Sequence, residues 1–141
     1  MKGEPWLVVG GALSVIAAIL HIAIIFGGPA WYRWFHAGEQ MAKMAERGEA
    51  RPWVITLGIA FVLGAFAACA WSAAGLIGQL PWLRLALIGI SGVYLLRGLA
   101  LGPLLIWQPH LVDPFIVWSS AIVLGYGLVH AVGLWLIWSQ L

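Results

Sequence analysis

Four long apolar runs dominate the chain, separated by one long polar stretch and two shorter connections, at about residues 6–26, 53–76, 82–101 and 114–138. Each is close to the ~20 residues that cross ~30 Å of hydrocarbon at 1.5 Å per residue. Arg84 and Arg97, near the two ends of the third run, are the only charged side chains in any of them. This pattern predicts an all-α fold: an integral membrane four-transmembrane-helix bundle, a single domain over residues 1–141, with a short amphipathic helix in the first loop.

Local signals set the boundaries. In span one Ser14, Ala17, Ala18 and His21 recur at helical spacing, giving a small, polar face turned toward other helices. Gly27, Gly28 and Pro29 end it, since proline cannot continue the hydrogen-bond ladder. The apolar run is longer than the core of a typical signal peptide, so span one reads as retained. In the polar loop 27–51, residues 36–47 are strong helix formers with Met41, Met44 and Ala45 on one side, and Gly48 is the expected stop. Pro52 suits the first turn of span two, where Ala60, Gly64 and Ala68 have the small-xxx-small spacing that lets backbones approach. The turn 78–81 makes spans two and three an antiparallel hairpin. Residues 104–113, bounded by Pro103 and Pro109, read as an apolar connection dipping into the interface, and Trp118, Tyr126 and His130 share a face of span four.

Composition supports the membrane assignment: 63% of the residues are hydrophobic and 9% charged, where soluble chains carry about a quarter charged. Seven of the twelve charged side chains (Arg33, Glu39, Lys43, Glu46, Arg47, Glu49, Arg51) lie in the first loop, the one segment that water can surround. The tryptophans form two belts, Trp6, Trp71, Trp82, Trp135 and Trp138 on one side and Trp31, Trp34, Trp53, Trp107 and Trp118 on the other. Both termini then share the first side. Arg33, Lys43, Arg47 and Arg51 outweigh Lys2 and Arg84, so the positive-inside rule puts loop 27–51 in the cytoplasm. The few basic residues, divided between two faces, make no nucleic-acid footprint. Cys69 is the only cysteine, which excludes an intrachain disulfide and a paired-thiol relay.

Counting 1.5 Å per residue puts His21 roughly 8 Å and Arg97 roughly 6 Å inside the loop side, with Tyr94, Thr56, Ser119 and Ser120 at similar depths. Arg33, His36 and Glu39 of the first loop and His110 and Asp113 of the second lie above them. Residues His21, Arg33, His36, Glu39, Tyr94, Arg97, Asp113 and Ser119 are therefore the candidate ligand-binding set. An arginine within a span pairs, lines a cavity or snorkels to the headgroups, and Glu39 or Asp113 is its expected partner. His21 reads equally as an interhelical hydrogen-bond donor. A haem between His21 and His130 fails on geometry, because the two lie about 16 Å apart in depth. No metal-ligand spacing and no nucleophile elbow around Ser119 and Ser120 is present. No catalytic residue or cofactor is indicated.

The stretches from Tyr32-Arg33 through Gly38-Glu39, and Val93-Tyr94-Leu95-Leu96-Arg97-Gly98, resemble those of small bacterial four-span membrane proteins of unassigned activity. That resemblance implies architecture and a bacterial inner-membrane location. In size and layout the chain is also similar to the membrane-associated eicosanoid and glutathione metabolism proteins, with Arg33, Ala37 and Glu39 near the start of that family's arginine-rich motif and Tyr94 comparable with its third-span tyrosine. This likeness implies a trimeric enzyme holding glutathione, although the family's asparagine is absent, the spacing differs and the stretch precedes span two. The expected function is binding, with or without transport, of a small amphiphile such as a lipid, quinone or isoprenoid in a polar pocket capped by loop 27–51. The alternatives are an accessory subunit of a larger membrane complex and an enzyme acting on a lipophilic substrate. Expected partners are the bilayer, the amphiphile, and further copies or subunits.

Overall fold

In the computed structural model, which describes residues 3–141, the chain is all-α, with no strand among the described residues. Seven α-helices follow in order: α1 (Glu4–Gly27), α2 (Pro29–Trp34), α3 (Glu39–Glu46), α4 (Arg51–Ala73), α5 (Leu83–Leu99), α6 (Leu101–Trp107) and α7 (Pro114–Ile137). Single 3-10 turns occupy Pro109–Leu111 and Trp138–Gln140. Four spans, Glu4–Gly27, Arg51–Ala73, Leu83–Trp107 and Pro114–Gln140, are long and apolar enough to cross a membrane. Lys2, counted in the charge balance above, lies outside the described residues.

Two boundaries differ from the sequence reading. Span three does not stop at Leu101 but runs on through α6 to Trp107. Pro103 has no N–H for the carbonyl of Leu99, so the ladder breaks there and restarts at once as α6. The first loop also holds an extra helix. Gly28 takes φ 69° and ψ −154°, open in practice to glycine alone, and so turns the chain out of α1 and directly into α2, with Pro29 at its first position.

Contacts group the chain into two compact units, one of Ser14–Ala65 and the other of the chain through Leu13 together with Phe66–Leu141. In the first unit, Ile24 of α1, Tyr32 of α2 and Ala42 of α3 make a small core with Phe35, Met41 and Ala45 against it. Buried Tyr32 and Thr56 of α4 bring their hydroxyl oxygens to 3.2 Å. Thr56 places its single proton on the Pro52 carbonyl at 2.8 Å, which leaves Tyr32 as the donor in the other bond. The chain leaves α2 through His36, held at φ 56°, with the Ala37 amide on the Tyr32 carbonyl and the His36 amide on the Arg33 carbonyl, the pair of bonds of a Schellman close. Gly48 ends α3 the same way.

In the second unit α5 and α7 run antiparallel at close range. A Cβ added to Gly98 would lie 2.7 Å from the Leu124 backbone, and one on Gly127 2.8 Å from Leu95. The N-terminal part of α1 joins α7 where Leu7 packs on Gly133. It joins α4 where the Trp71 indole lies against Gly11 and donates to the Val8 carbonyl at 3.1 Å, so this tryptophan is an interhelical tie and not only a belt residue. Ser72 closes the α4–α5 turn, donating to the Gly78 carbonyl and accepting the Leu80 amide, both at 2.9 Å.

The face of α4 that packs is Thr56, Ala60, Leu63, Ala67 and Ala70, whereas Gly64 of the expected small-residue stripe is exposed with open space around it. Buried positions on α5 (Leu83, Leu87, Ile90, Tyr94, Gly98) repeat the same three-and-four spacing, with Ser91 buried beside Ile90.

Gly98→Ala is expected to destabilise the protein in detergent by about 1–3 kcal/mol through overpacking against Leu124. Gly125→Ala, where a Cβ meets nothing, should be neutral or gain up to about 1 kcal/mol of helix propensity. Thermal unfolding of the two variants beside the wild type reads the contrast, and equal shifts would refute the packing account.

Candidate functional site

Helix α2 presents three faces, each with different work. Tyr32 points into the small core. Arg33 points to α3, where its Nε and Nη2 reach the two oxygens of Glu39 at 3.0 and 2.9 Å and its Nη1 reaches Glu46 Oε1 at 2.7 Å. Ala30, Trp31, Trp34 and Phe35, at helical positions i, i+1, i+4 and i+5, line a third face with Leu20 of α1. Together they bound an apolar groove of about 540 Å³. Its walls are set by ring packing: Trp34 meets Phe35 edge-on at 4.6 Å, Trp31 meets Phe35 at 5.8 Å, and the Trp31 ring rests on Gly27, where a side chain would displace it.

The Arg33 cluster fastens α3 to α2. The bidentate hydrogen bond from Arg33 holds the Glu39 carboxyl below its ordinary range, and Glu39 followed by Glu46 pushes the guanidinium further above its own. All three side chains are substantially exposed, so solvent screens the pairs and their net contribution is small. Geometry is what they supply.

Several residues of the expected ligand-binding set have polar partners within their own compact unit. His21 donates from Nδ1 to the Ala17 carbonyl of its own helix at 2.7 Å. His36 is exposed, with Nδ1 donating to the Trp34 carbonyl at 3.1 Å. Arg33 and Glu39 are brought together, but with each other. Arg97 pairs with neither expected carboxylate: Glu39 is held by Arg33, the Asp113 side chain caps α7 by accepting the Ile116 amide at 2.9 Å, and Arg97 Nη1 donates to Ser120 Oγ at 3.0 Å. Ser119 is turned back on its own helix, donating to the Ile116 carbonyl at 3.2 Å.

Tyr94, like Arg97, lies deeper than expected. With span three ending at Trp107, it lies thirteen residues, roughly 20 Å, from that end. There it is buried, its ring 5.2 Å from that of His130, 5.5 Å from Tyr126 and 5.7 Å from Phe66. Tyr94 and His130 thus share one aromatic cluster instead of opposite halves of the membrane. His130 is fully buried, Nδ1 donates to the Tyr126 carbonyl at 2.8 Å, Nε2 has no hydrogen-bond partner among the described residues, and the ring edge lies where a side chain on Gly10 would be. No three metal-ligating side chains converge among the described residues.

Of the groove residues, Trp31 and Trp34 stood out in the sequence, and only as belt tryptophans. Their spacing of one, three and one was the available signal, hidden because α2 was read as loop.

The class is thus a multi-pass α-helical membrane protein, with an apolar aromatic groove on one face of α2 and α3 ion-paired to another. Comparison with family models, curated proteins and solved structures finds no match to any of the three.

A carboxyl depressed on folding adds stability that is complete above its unfolded value and is lost as pH falls through the folded one. The Glu39–Arg33 bond is therefore expected to hold from neutral pH to the ordinary carboxylate value of 4.5 and to open only below it. The Arg33 Nε–H resonance in micelles reads this directly. A midpoint above 4.5 contradicts the pairing, and Glu39→Gln should show the opened signal at every pH.

Proposed function

We propose that this protein binds a small amphiphile with an uncharged polar head, a quinone or an isoprenoid alcohol, in the groove formed by Leu20, Ala30, Trp31, Trp34 and Phe35. The observation that carries the reading is the groove itself: about 540 Å³ bounded by three aromatic rings, an apolar concavity of the size that small-molecule sites take. It keeps the ligand class expected from the sequence and moves the site from a polar pocket to the aromatic flank of loop 27–51. Arg33 favours an uncharged head, since its guanidinium is already engaged by Glu39 and Glu46. In this reading the protein sits in a bacterial inner membrane with the loop in the cytoplasm, the side from which α2 and α3 meet the ligand's polar end.

A subunit role is the second reading. It is favoured by Gly64, Gly89 and Gly92, which face open space on helices whose packed sides lie elsewhere, as surfaces that another helix can approach.

Equilibrium binding of decylubiquinone and of farnesol to the purified protein in detergent tests the first reading. Ala30→Phe should fill the groove and weaken binding by about tenfold or more, the loss of about 1.4 kcal/mol that excluding part of an apolar tail entails. Unchanged affinity in a folded Ala30→Phe protein would remove the groove as the site.

A further inference from the structure

Arg97 lies far inside a span, ten residues from Trp107 and fourteen from Leu83, or roughly 15 and 21 Å along the helix. Every other charged residue of the four spans lies within two residues of its span's start, as Glu4, Arg51 and Arg84 do. From that depth the side chain reaches Ser120, six residues into α7 and therefore roughly 9 Å from its start, so the guanidinium climbs toward the Trp107 end. Its partner there is a neutral hydroxyl. The residue remains exposed, and no carboxylate is within ion-pair distance of it among the described residues.

A guanidinium has five N–H donors arranged as a planar fork, and a single serine oxygen takes one of them. Nε and Nη2 have no acceptor among the described residues, in a segment where water is scarce and an unanswered charge is costly. The chemistry that completes such a fork is a pair of anionic oxygens on one atom. Val93 and Leu96 on α5 and Trp118 and Ile122 on α7 are all exposed large apolar side chains, a setting for acyl chains and not for a hydrated ion.

We propose that Arg97, anchored by Ser120, binds the phosphate of an anionic membrane lipid drawn down toward it. The site belongs to the unit of α5 and α7, with different residues and ligand chemistry from the aromatic groove of α2, so the two stand or fall separately. Ser120 acts as a positioning residue, because its hydroxyl fixes one arm of the fork and leaves the others outward.

The test is native mass spectrometry of the full chain released from phosphatidylcholine vesicles doped with phosphatidylglycerol. Wild type should retain phosphatidylglycerol in excess over its share of the vesicle, and Arg97→Gln should cut that excess by about tenfold, the size of one charge-assisted contact. Equal retention by wild type and a folded Arg97→Gln protein overturns the proposal. Should that variant fail to fold, Arg97→Lys keeps the charge and loses the fork, and an unaltered excess in it is equally fatal. Inorganic phosphate added to the wild type should displace no lipid; displacement would assign the site to a soluble anion. A dimer that forms only while Arg97 is present would give the guanidinium to a second copy, and would also overturn the lipid assignment.

Discussion

Close approach of helix backbones is the constraint on which the rest depends. Lipid tails are as apolar as leucine, so burying leucine between spans gains little, and association rests on van der Waals packing and a few interhelical hydrogen bonds. In the α5–α7 unit that packing is made at glycines: Gly98 under Leu124, Gly127 under Leu95 and Gly133 under Leu7 leave no room for a β-carbon. Trp71 adds one directed bond across the same unit, from its indole to the Val8 carbonyl at 3.1 Å. With the backbones so near, the polar groups between them are enclosed, which is why His130 and Ser120 are almost wholly buried.

The same constraint explains which parts of the fold were legible in the sequence. The four spans were, because a run of twenty apolar residues has few alternatives in lipid. The packed faces were not. A soluble helix advertises its core by contrast with a polar surface, whereas in α4 the outward residues Phe61, Val62 and Leu57 are more hydrophobic than the buried Thr56, Ala60 and Ala67. Small side chains at three-and-four spacing were the only trace, and span two offers several registers of them. Ala60, Gly64 and Ala68 was one such register, and the structure packs another.

The site was less legible for two reasons, both traceable to single residues. Pro103 was read as the end of span three when it only interrupts the ladder. That shift of six residues moved Tyr94 and Arg97 about 9 Å deeper. Gly28 was read as a helix stop, which hid the helix that starts right after it and with it the pattern of Ala30, Trp31, Trp34 and Phe35. Polar residues grouped by depth alone proved mostly self-sufficient. His21 and Ser119 bond back to their own helices, and Arg33 closes on Glu39 and Glu46.

That self-sufficiency separates structural polarity from polarity with a further use. In hydrocarbon each donor must find an acceptor, and a side chain that bonds back to its own helix at i−3 or i−4 has done so without a neighbour. Arg33 meets the requirement with two carboxylates. Arg97 has as many donors as Arg33 and meets one neutral oxygen, Ser120 Oγ at 3.0 Å. Position along a span therefore says less about function than the balance of donors and acceptors at each polar atom. By that measure the loop's charges hold α3 in place beside the groove, and the span's single deep charge is the one still short of an anion.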